Sequence, residues 1–465
     1  MFWDAVGSHL DFTNPATAAW WKEQVAEKLL AYGIECTWND NNEWHVDDEC
    51  ASCYNFGGAR VPLKLLRPVQ TLLMVRCSHE AQTTHAPATR PWLISRSAMP
   101  GVQRYAQTWT GDNYTSWHTL KWNVPMGLGL SLSGFFNVGH DVGGFAGPRP
   151  SPELLVRWVQ NGCFHPRFTI HSWNDDGTPN EPWMYPEVTH LVRAAIATRY
   201  SFMPYLYSLL HLAHADDEPM LRPTFLDHEH DPVTWEPTDD FMLGQDLLVA
   251  SVVEQGATTR RVYLPDNRGA GWWDWHAGEW HSGGRRITLD APLERCPILA
   301  RAGSMIMRAA PHADAAHASK PQERYLHVFP IPASHAHFQA DRAKRARLWE
   351  TDEPPVGFFG HADDAPHTVH HTVHIEDDGV SVDGVDGPKR VRFELCMRCT
   401  ATSIELDVTA QFLSAWQPTF SIVHVVLPVS EDAVRPITIK ATVVGQVPGM
   451  PAVPFTWVCS KGPQV

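Results

Sequence analysis

At 465 residues with 43% hydrophobic content, the chain can bury a sizeable core and is long enough for two or more domains. Its 37 basic residues against 52 acidic ones leave a formal charge of −15 without a long basic run. That balance argues against a nucleic-acid surface and for small, neutral partners.

The first residues, MFWDAVGSHL, lack a basic segment followed by an apolar one, and no apolar stretch of about 18 residues occurs, so neither an export signal nor a membrane span is expected. The compartment and the oligomeric state stay open. Nine cysteines do not make a complete disulfide framework. The pairs Cys50/Cys53 and Cys396/Cys399 have CxxC spacing, but the second lies in the strand-like run VRFELCMRCT, which favours unrelated reduced thiols over a shared zinc.

In chain order, LDFTNPATAAWWKEQVAEKLLAYGIECTWND predicts the end of a strand, a helix and a further strand. Asn14 caps, Pro15 takes the first helical position, Trp21, Val25 and Leu29 recur every fourth residue, and Gly33 ends the helix. The strand over 34–38 then runs into a cluster of amide and acid side chains that includes Asp40 and Glu43. Further on, RPWLISRS is strand-like, SWHTLKWNVPMGLGLSL helix-like, SGFFNVGHDVGGF a strand entering a glycine-rich loop, and SPELLVRWVQNGCF another helix. Alternation at this spacing predicts a parallel sheet, open or closed into a barrel, with its chemistry where strands end. Asp40, Asp112 and Asp141 all fall at such places.

The segment EVTHLVRAAIATRYSFMPYLYSLLHLAHA reads as a long helix broken near Pro204. After about residue 235 the pattern changes to short strands and turns, which predicts a barrel-type domain over 1–235 and a small β domain over 236–315. A second β-rich domain over 316–465 follows an Ala/His-rich linker. Within it, HTVHHTVH carries His367, His370, His371 and His374. That spacing would suit a metal on a helix, but valine and threonine favour a strand, which scatters the rings over both faces.

Two acids at different strand ends, with tryptophans near polar side chains (Trp38, Trp44, Trp109, Trp117, Trp173), suggest glycosidic bond cleavage, one carboxylate attacking carbon and the other supplying a proton. For any single aspartate, helix capping or plain solvation explains its position as well, and core packing does the same for any single tryptophan. The local words are more specific. GIECTWNDNNE resembles the nucleophile signature of glycoside hydrolase family 31, RPWLISRSAMPGVQRYAQTWTGDN its arginine-to-acid/base segment, and LSGFFNVGHDVGGFAG the strand and loop that follow. The likeness continues through GCFHPRFTIHS, RYSFMPYLYSLL, FMLGQDLLVASVV, GWWDWHAGEWHSGG and AGSMIMR, and thins after about residue 310, where HIEDDGVSVDG still resembles the acidic turn of the family's last β domain.

The resemblance implies an α/β fold, a (β/α)8 TIM barrel followed by two β-sandwich-like domains, acting as a retaining glycosidase on an α-glucoside without a cofactor or metal. It assigns Asp40 as nucleophile and Asp112 as general acid/base, with carboxyls ~5 to 5.5 Å apart. It places Arg96, Asp141 and His171 on sugar hydroxyls, and Trp38, Trp109 and Phe145 as aromatic walls. Glu43 is then a residue that orients the nucleophile.

Two departures stand out: Asn41 occupies the family's usual methionine position, and the chain begins almost at the segment LDFTNP, so the barrel is expected to be N-terminally incomplete, with two or so early strands absent. A noncatalytic carbohydrate-binding protein, an α-xylosidase and an α-glucosyl transferase remain alternatives.

Overall fold

The computed structural model describes residues 8–45, 51–311, 323–332, 368–381, 389–400, 402–412, 418, 420, 422–428, 435–444 and 456–460. Helix α1 (Pro15–Lys28) starts as predicted, because Asn14 accepts a hydrogen bond from Ala16 N at 3.0 Å and Pro15 opens the first turn. It ends earlier than Gly33: a short 3-10 turn over Leu30–Tyr32 intervenes, and Gly33 closes that turn at φ 81°. No strand precedes α1 among the described residues. Phe12 instead packs edge-on against Trp21 and Trp44, at centroid distances of 5.5 and 5.8 Å.

Strand β1 (Cys36–Asn39) is followed by the two-residue ladder of β2 (Ser52–Cys53) and β3 (Val61–Pro62), and then by the long helix α2 (Leu63–His85). Helix α2 covers the outer side of β1. Its buried face is polar: Gln82 donates to Thr37 Oγ1 at 3.0 Å and Ser78 to Asn39 Oδ1 at 3.1 Å. Strands β4 (Trp92–Ser95), β5 (Gln107–Trp109) and β6 (Val138–Gly139) then join β1 in a parallel sheet of order β1-β4-β5-β6. A parallel bridge between Asp141 and Thr169 extends it by one more place.

Four strands and that bridged segment fill five places of the eight in a closed barrel. Among the described residues the barrel is therefore an open arc, short by three strands rather than the two or so expected. Helices α3 (Trp117–Leu132) and α4 (Pro152–Gly162) are capped by Ser116 and Ser151, which accept from Thr119 N and Leu154 N. The predicted break near Pro204 separates α5 (Thr189–Ser201) from α6 (Met203–Ala215), where proline occupies the first turn of the second helix.

After α6 the chain turns to β structure. Strand β7 (Leu221–Arg222), helix α7 (Thr224–Asp227) and strands β8 (Phe241–Leu243), β9 (Leu247–Val249), β10 (Thr259–Leu264), β11 (Trp272–Asp274), β12 (Trp280–His281), β13 (Arg285–Asp290) and β14 (Ile298–Arg301) form a six-stranded sheet, β12-β11-β14-β9-β8-β7, and the pair β10-β13. Strand β7 already belongs to this sheet, upstream of residue 235. Strands β15 (Met305–Ala309), β16 (Arg324–Val328), β17 (Thr368–Asp377), β18 (Arg390–Cys399), β19 (Ile404–Phe412), β20 (Ile422–Val426), β21 (Ile437–Val444) and β22 (Thr456–Ser460) build two four-stranded sheets, β15-β16-β20-β22 and β17-β18-β19-β21.

His370, His371 and His374 of the histidine repeat lie on β17, as valine and threonine dictate. His374 is buried with Nε2 2.8 Å from Glu376 Oε1, while His371 faces Cys396 across the β17–β18 ladder. Cys396 is partly exposed and Cys399 buried. His367 and Cys50 lie outside the described residues. Among those described, no group of three or more His, Cys, Asp or Glu side chains is arranged to hold a metal ion, and no helix is long and apolar enough to cross a membrane.

Candidate active site

Strand β1 delivers Trp38 to the inner side of the arc and Asn39 to its helix-covered side, after which the chain must turn sharply to continue into the acid cluster. It does so with Asn41 at φ 51° and Trp44 at φ 50°. The left-handed region is costly for most side chains but mild for asparagine. This explains physically why an amide occupies position 41. Asn42 then fixes the loop: its side chain accepts from Ser97 N and donates to Ser95 Oγ, both at 2.9 Å, while its carbonyl accepts from Thr71 Oγ1 at 2.6 Å.

The loop so held meets Arg96, one residue beyond the end of β4. The Arg96 guanidinium grips Glu43 with two bonds, Nε to Oε1 at 2.8 Å and Nη2 to Oε2 at 3.1 Å, and donates to Asn41 Oδ1. Its Nη1 lies 3.0 Å from Asp40 Oδ1 and 3.4 Å from Asp112 Oδ2. One nitrogen therefore touches both expected catalytic carboxylates. The two oxygens that face it therefore lie no farther apart than the sum of those two distances.

The charges act on one another. Partial burial raises the Asp112 carboxyl above the ordinary aspartate range, Arg96 pulls it back, and the Asp40 charge adds to the rise. Burial also pushes Glu43 up, but the Arg96 hydrogen bonds and charge outweigh it and hold Glu43 below its usual range.

Asp112 is placed by its neighbour Asn113, a residue that sequence reasoning missed. The Asn113 carbonyl accepts from Phe145 N at 2.8 Å and from Ala146 N at 3.1 Å, and its side chain bonds Phe145 N at 3.1 Å. The loop after β5 is thereby tied to the loop after β6. Gly139 has its own reason: a Cβ there would sit 2.1 Å from the Arg167 carbonyl oxygen, so only glycine permits this approach.

The remaining expected residues fall into two layers. Trp38 stays 41% exposed, with His171 beside it at 5.2 Å between ring centroids, and Phe145 lies at the same distance from His171. Partial burial, then the Arg167 charge, lowers the His171 imidazole below its ordinary range. Beneath them Trp109 is buried 4.8 Å from Trp38, and Asp141 has no exposed surface. Burial pushes the Asp141 carboxyl up to about 7, against the pull of Arg167. The structure gathers Asp40, Glu43, Arg96 and Asp112 into one open cluster, sets Trp38, Phe145 and His171 beside it, and places Trp109 and Asp141 in the layer below. Sequence reasoning missed Asn113 and Arg167, the first signalled only by an amide adjoining a carboxylate; the amides after Asp40 were expected to orient it, and of these Asn42 bonds Ser95 and Ser97 instead.

Comparison with known proteins identifies the family. The glycosyl hydrolases family 31 TIM-barrel domain matches residues 1–209 and the glycosyl hydrolase family 31 C-terminal domain residues 217–306. The chain belongs to glycoside hydrolase family 31. Among family members, a probable glucan 1,3-alpha-glucosidase of Arabidopsis thaliana is 35% identical over 320 residues, covering 66% of this chain and 34% of that relative. Alpha-glucosidase 2 of Bacillus thermoamyloliquefaciens is 34% identical over 310 residues, covering 65% and 40%. Among solved structures, a family 31 dextranase of Flavobacterium johnsoniae complexed with glucose superposes with a TM-score of 0.71 at 25% identity, covering 85% of this chain and 45% of that one. The chain thus spans less than half the length of these relatives.

Proposed function

We propose that this chain carries the chemistry of a retaining α-glycosidase acting on terminal α-linked glucose. Asp40 attacks the anomeric carbon as the bond to the leaving oxygen breaks, and Asp112 gives that oxygen its proton. A covalent glycosyl ester on Asp40 results. Water then adds to the same carbon, Asp112 takes its proton, and the ester bond to Asp40 breaks, releasing the sugar with its configuration retained. The observation that carries this reading is the Arg96 nitrogen shared by Asp40 and Asp112, which brings the two carboxylates to one donor and so supports their acting on one sugar.

The raised Asp112 carboxyl suits the acid role. Arg96, Trp38, His171 and Phe145 offer a charged donor, an imidazole and aromatic faces to a sugar ring, with Trp109 and Asp141 behind them. Glu43 and Asn41 hold Arg96 in place. The names of the relatives, α-glucosidases and a glucose-bound dextranase, support glucose as the sugar.

Release of p-nitrophenol from p-nitrophenyl α-glucoside tests the proposal. Turnover that is lost in both Asp40→Ala and Asp112→Ala is the expected result. Glucose binding without turnover, from a cooperatively folded chain, would make this a carbohydrate-binding protein instead.

A further inference from the structure

The protein buries several arginines, and they are satisfied in different ways. Arg157 sends its terminal nitrogens to the carbonyls of Pro292, Arg295, Ala257 and Ala291 and to Gln160. Arg199 bonds the carbonyls of Cys163, His165 and Pro166. Both are structural pins on the backbone.

Arg167 is buried like Arg157, with 2% of its side chain exposed, yet among the described residues none of its guanidinium nitrogens has a hydrogen-bond acceptor. Its neighbours are π faces: the guanidinium carbon lies 5.4 Å from the centre of the Trp38 ring and 5.5 Å from that of Trp109. Its counter-charge is Asp141 at 3.7 Å, beyond hydrogen-bond range, and neither Asp141 oxygen has another partner.

Resting on the proposed sugar site, we infer that Arg167 is the positioning residue of its aromatic wall: anchored on Asp141, it clamps Trp38 and Trp109 in place by cation–π contact. Trp38 is the member that reaches the open cleft, one residue from the end of β1 and two from Asp40. Holding that ring sets the distance between a stacked sugar and the nucleophile. The arrangement also couples the wall to the charge on Asp141. Arg167, Asp112 and Asp40 are the charged groups that act on Asp141, while His171 and His140 face Arg167.

The clamp is tested by fluorine NMR on 5-fluorotryptophan-labelled protein, with Trp38 and Trp109 assigned from Trp38→Phe and Trp109→Phe. In the unsubstituted chain both signals should shift with a midpoint near pH 7, to which burial raises the Asp141 carboxyl. The shift should vanish in Asp141→Asn. Arg167→Gln should move both signals, and Arg167→Lys should keep the pH response at reduced size. In the hydrolysis assay, Arg167→Gln should raise KM about tenfold while kcat changes far less, the pattern of lost binding rather than lost chemistry.

Signals that stay fixed in Arg167→Gln, or a pH shift that persists in Asp141→Asn, overturn the clamp. Should Arg167→Gln fail to fold, the titration of the unsubstituted chain against Asp141→Asn decides alone. A chain without turnover whose tryptophan signals behave as described would remove the proposed hydrolysis and leave the clamp standing.

Discussion

At the scale of single residues, Arg96 carries more of the site than either carboxylate, because it touches Asp40, Asn41, Glu43 and Asp112 together. Its charge opposes the burial that raises Asp112. Replacing it by methionine should therefore let the Asp112 carboxyl rise further, through the loss of a close opposite charge. Because the acid form of Asp112 is the one that reacts, the alkaline limb of the pH profile of kcat/KM should move to higher pH; a limb that stays put or moves down contradicts the role. Glu43→Gln keeps the side-chain shape but removes the charge that holds Arg96, and should lower kcat/KM about tenfold with little loss of stability, since the pair is solvent-facing. Most of this cluster was legible in the sequence, because Asp40, Glu43, Arg96 and Asp112 sit in short words that differ from ordinary loops. Arg167 was not, since its role exists only where β1, β5 and the segment after β6 bring it between two tryptophans.

At the scale of elements, legibility followed the kind of contact that each element makes. Helix α1 could be read from Asn14, Pro15 and its apolar repeat, and Asn14→Ala should cost about 1 kcal/mol in denaturant unfolding, the usual worth of an N-cap. Helix α2 hides from periodicity because Gln70, Thr71, Ser78 and Gln82 lie on its buried face and Pro68 lies within it. The acid turn at the end of β17 shows its purpose only in three dimensions. Asp377 receives Arg90 at 2.9 Å, Tyr207 at 2.8 Å and His211 at 3.0 Å, joining the last sheet to α6 and to the approach to β4.

Burial opposes the charge on both Glu376 and Asp377. Arg324 and His374 outweigh it for Glu376, and the bonds from His211 and Arg90 do so for Asp377, so both carboxyls lie below their usual range. Groups depressed in this way add stability above their unfolded pKa of about 4 and lose it as pH falls through the folded value. Asp377→Asn should thus destabilise the protein by about 3 kcal/mol at neutral pH. The gap to the unsubstituted protein should narrow in melts below pH 4, and a gap that is constant with pH would dismiss the ionic account.

At the scale of the whole molecule, a single apolar core runs from Leu120 and Trp158 in the barrel helices, through Trp273 and Ile298 in the six-stranded sheet, to Phe393 and Val425 in the last two sheets. Shared burial of this kind couples the parts. Trp273, buried and donating to the Pro330 carbonyl at 2.8 Å, sits within it, and Trp273→Ala should cost about 3 to 5 kcal/mol while leaving one unfolding transition. Two separate transitions by calorimetry would show that the parts fold independently. That the first strands form a parallel sheet was readable from alternating strands and helices; the pairing of β16 with β20 and of β19 with β21 was not, because parallel neighbours distant in sequence leave no local signal.

The central claim, that Asp40 forms a covalent bond to a sugar beside an acid at Asp112, can be tested without steady-state turnover. The protein would be incubated with 5-fluoro-α-glucosyl fluoride, whose glycosyl ester is slow to hydrolyse, and its intact mass and digested peptides measured. One added fluoroglucosyl group on the peptide containing Asp40, absent in Asp40→Ala, is the expected result. A folded protein that gains no mass, or gains it on another residue, would contradict the account.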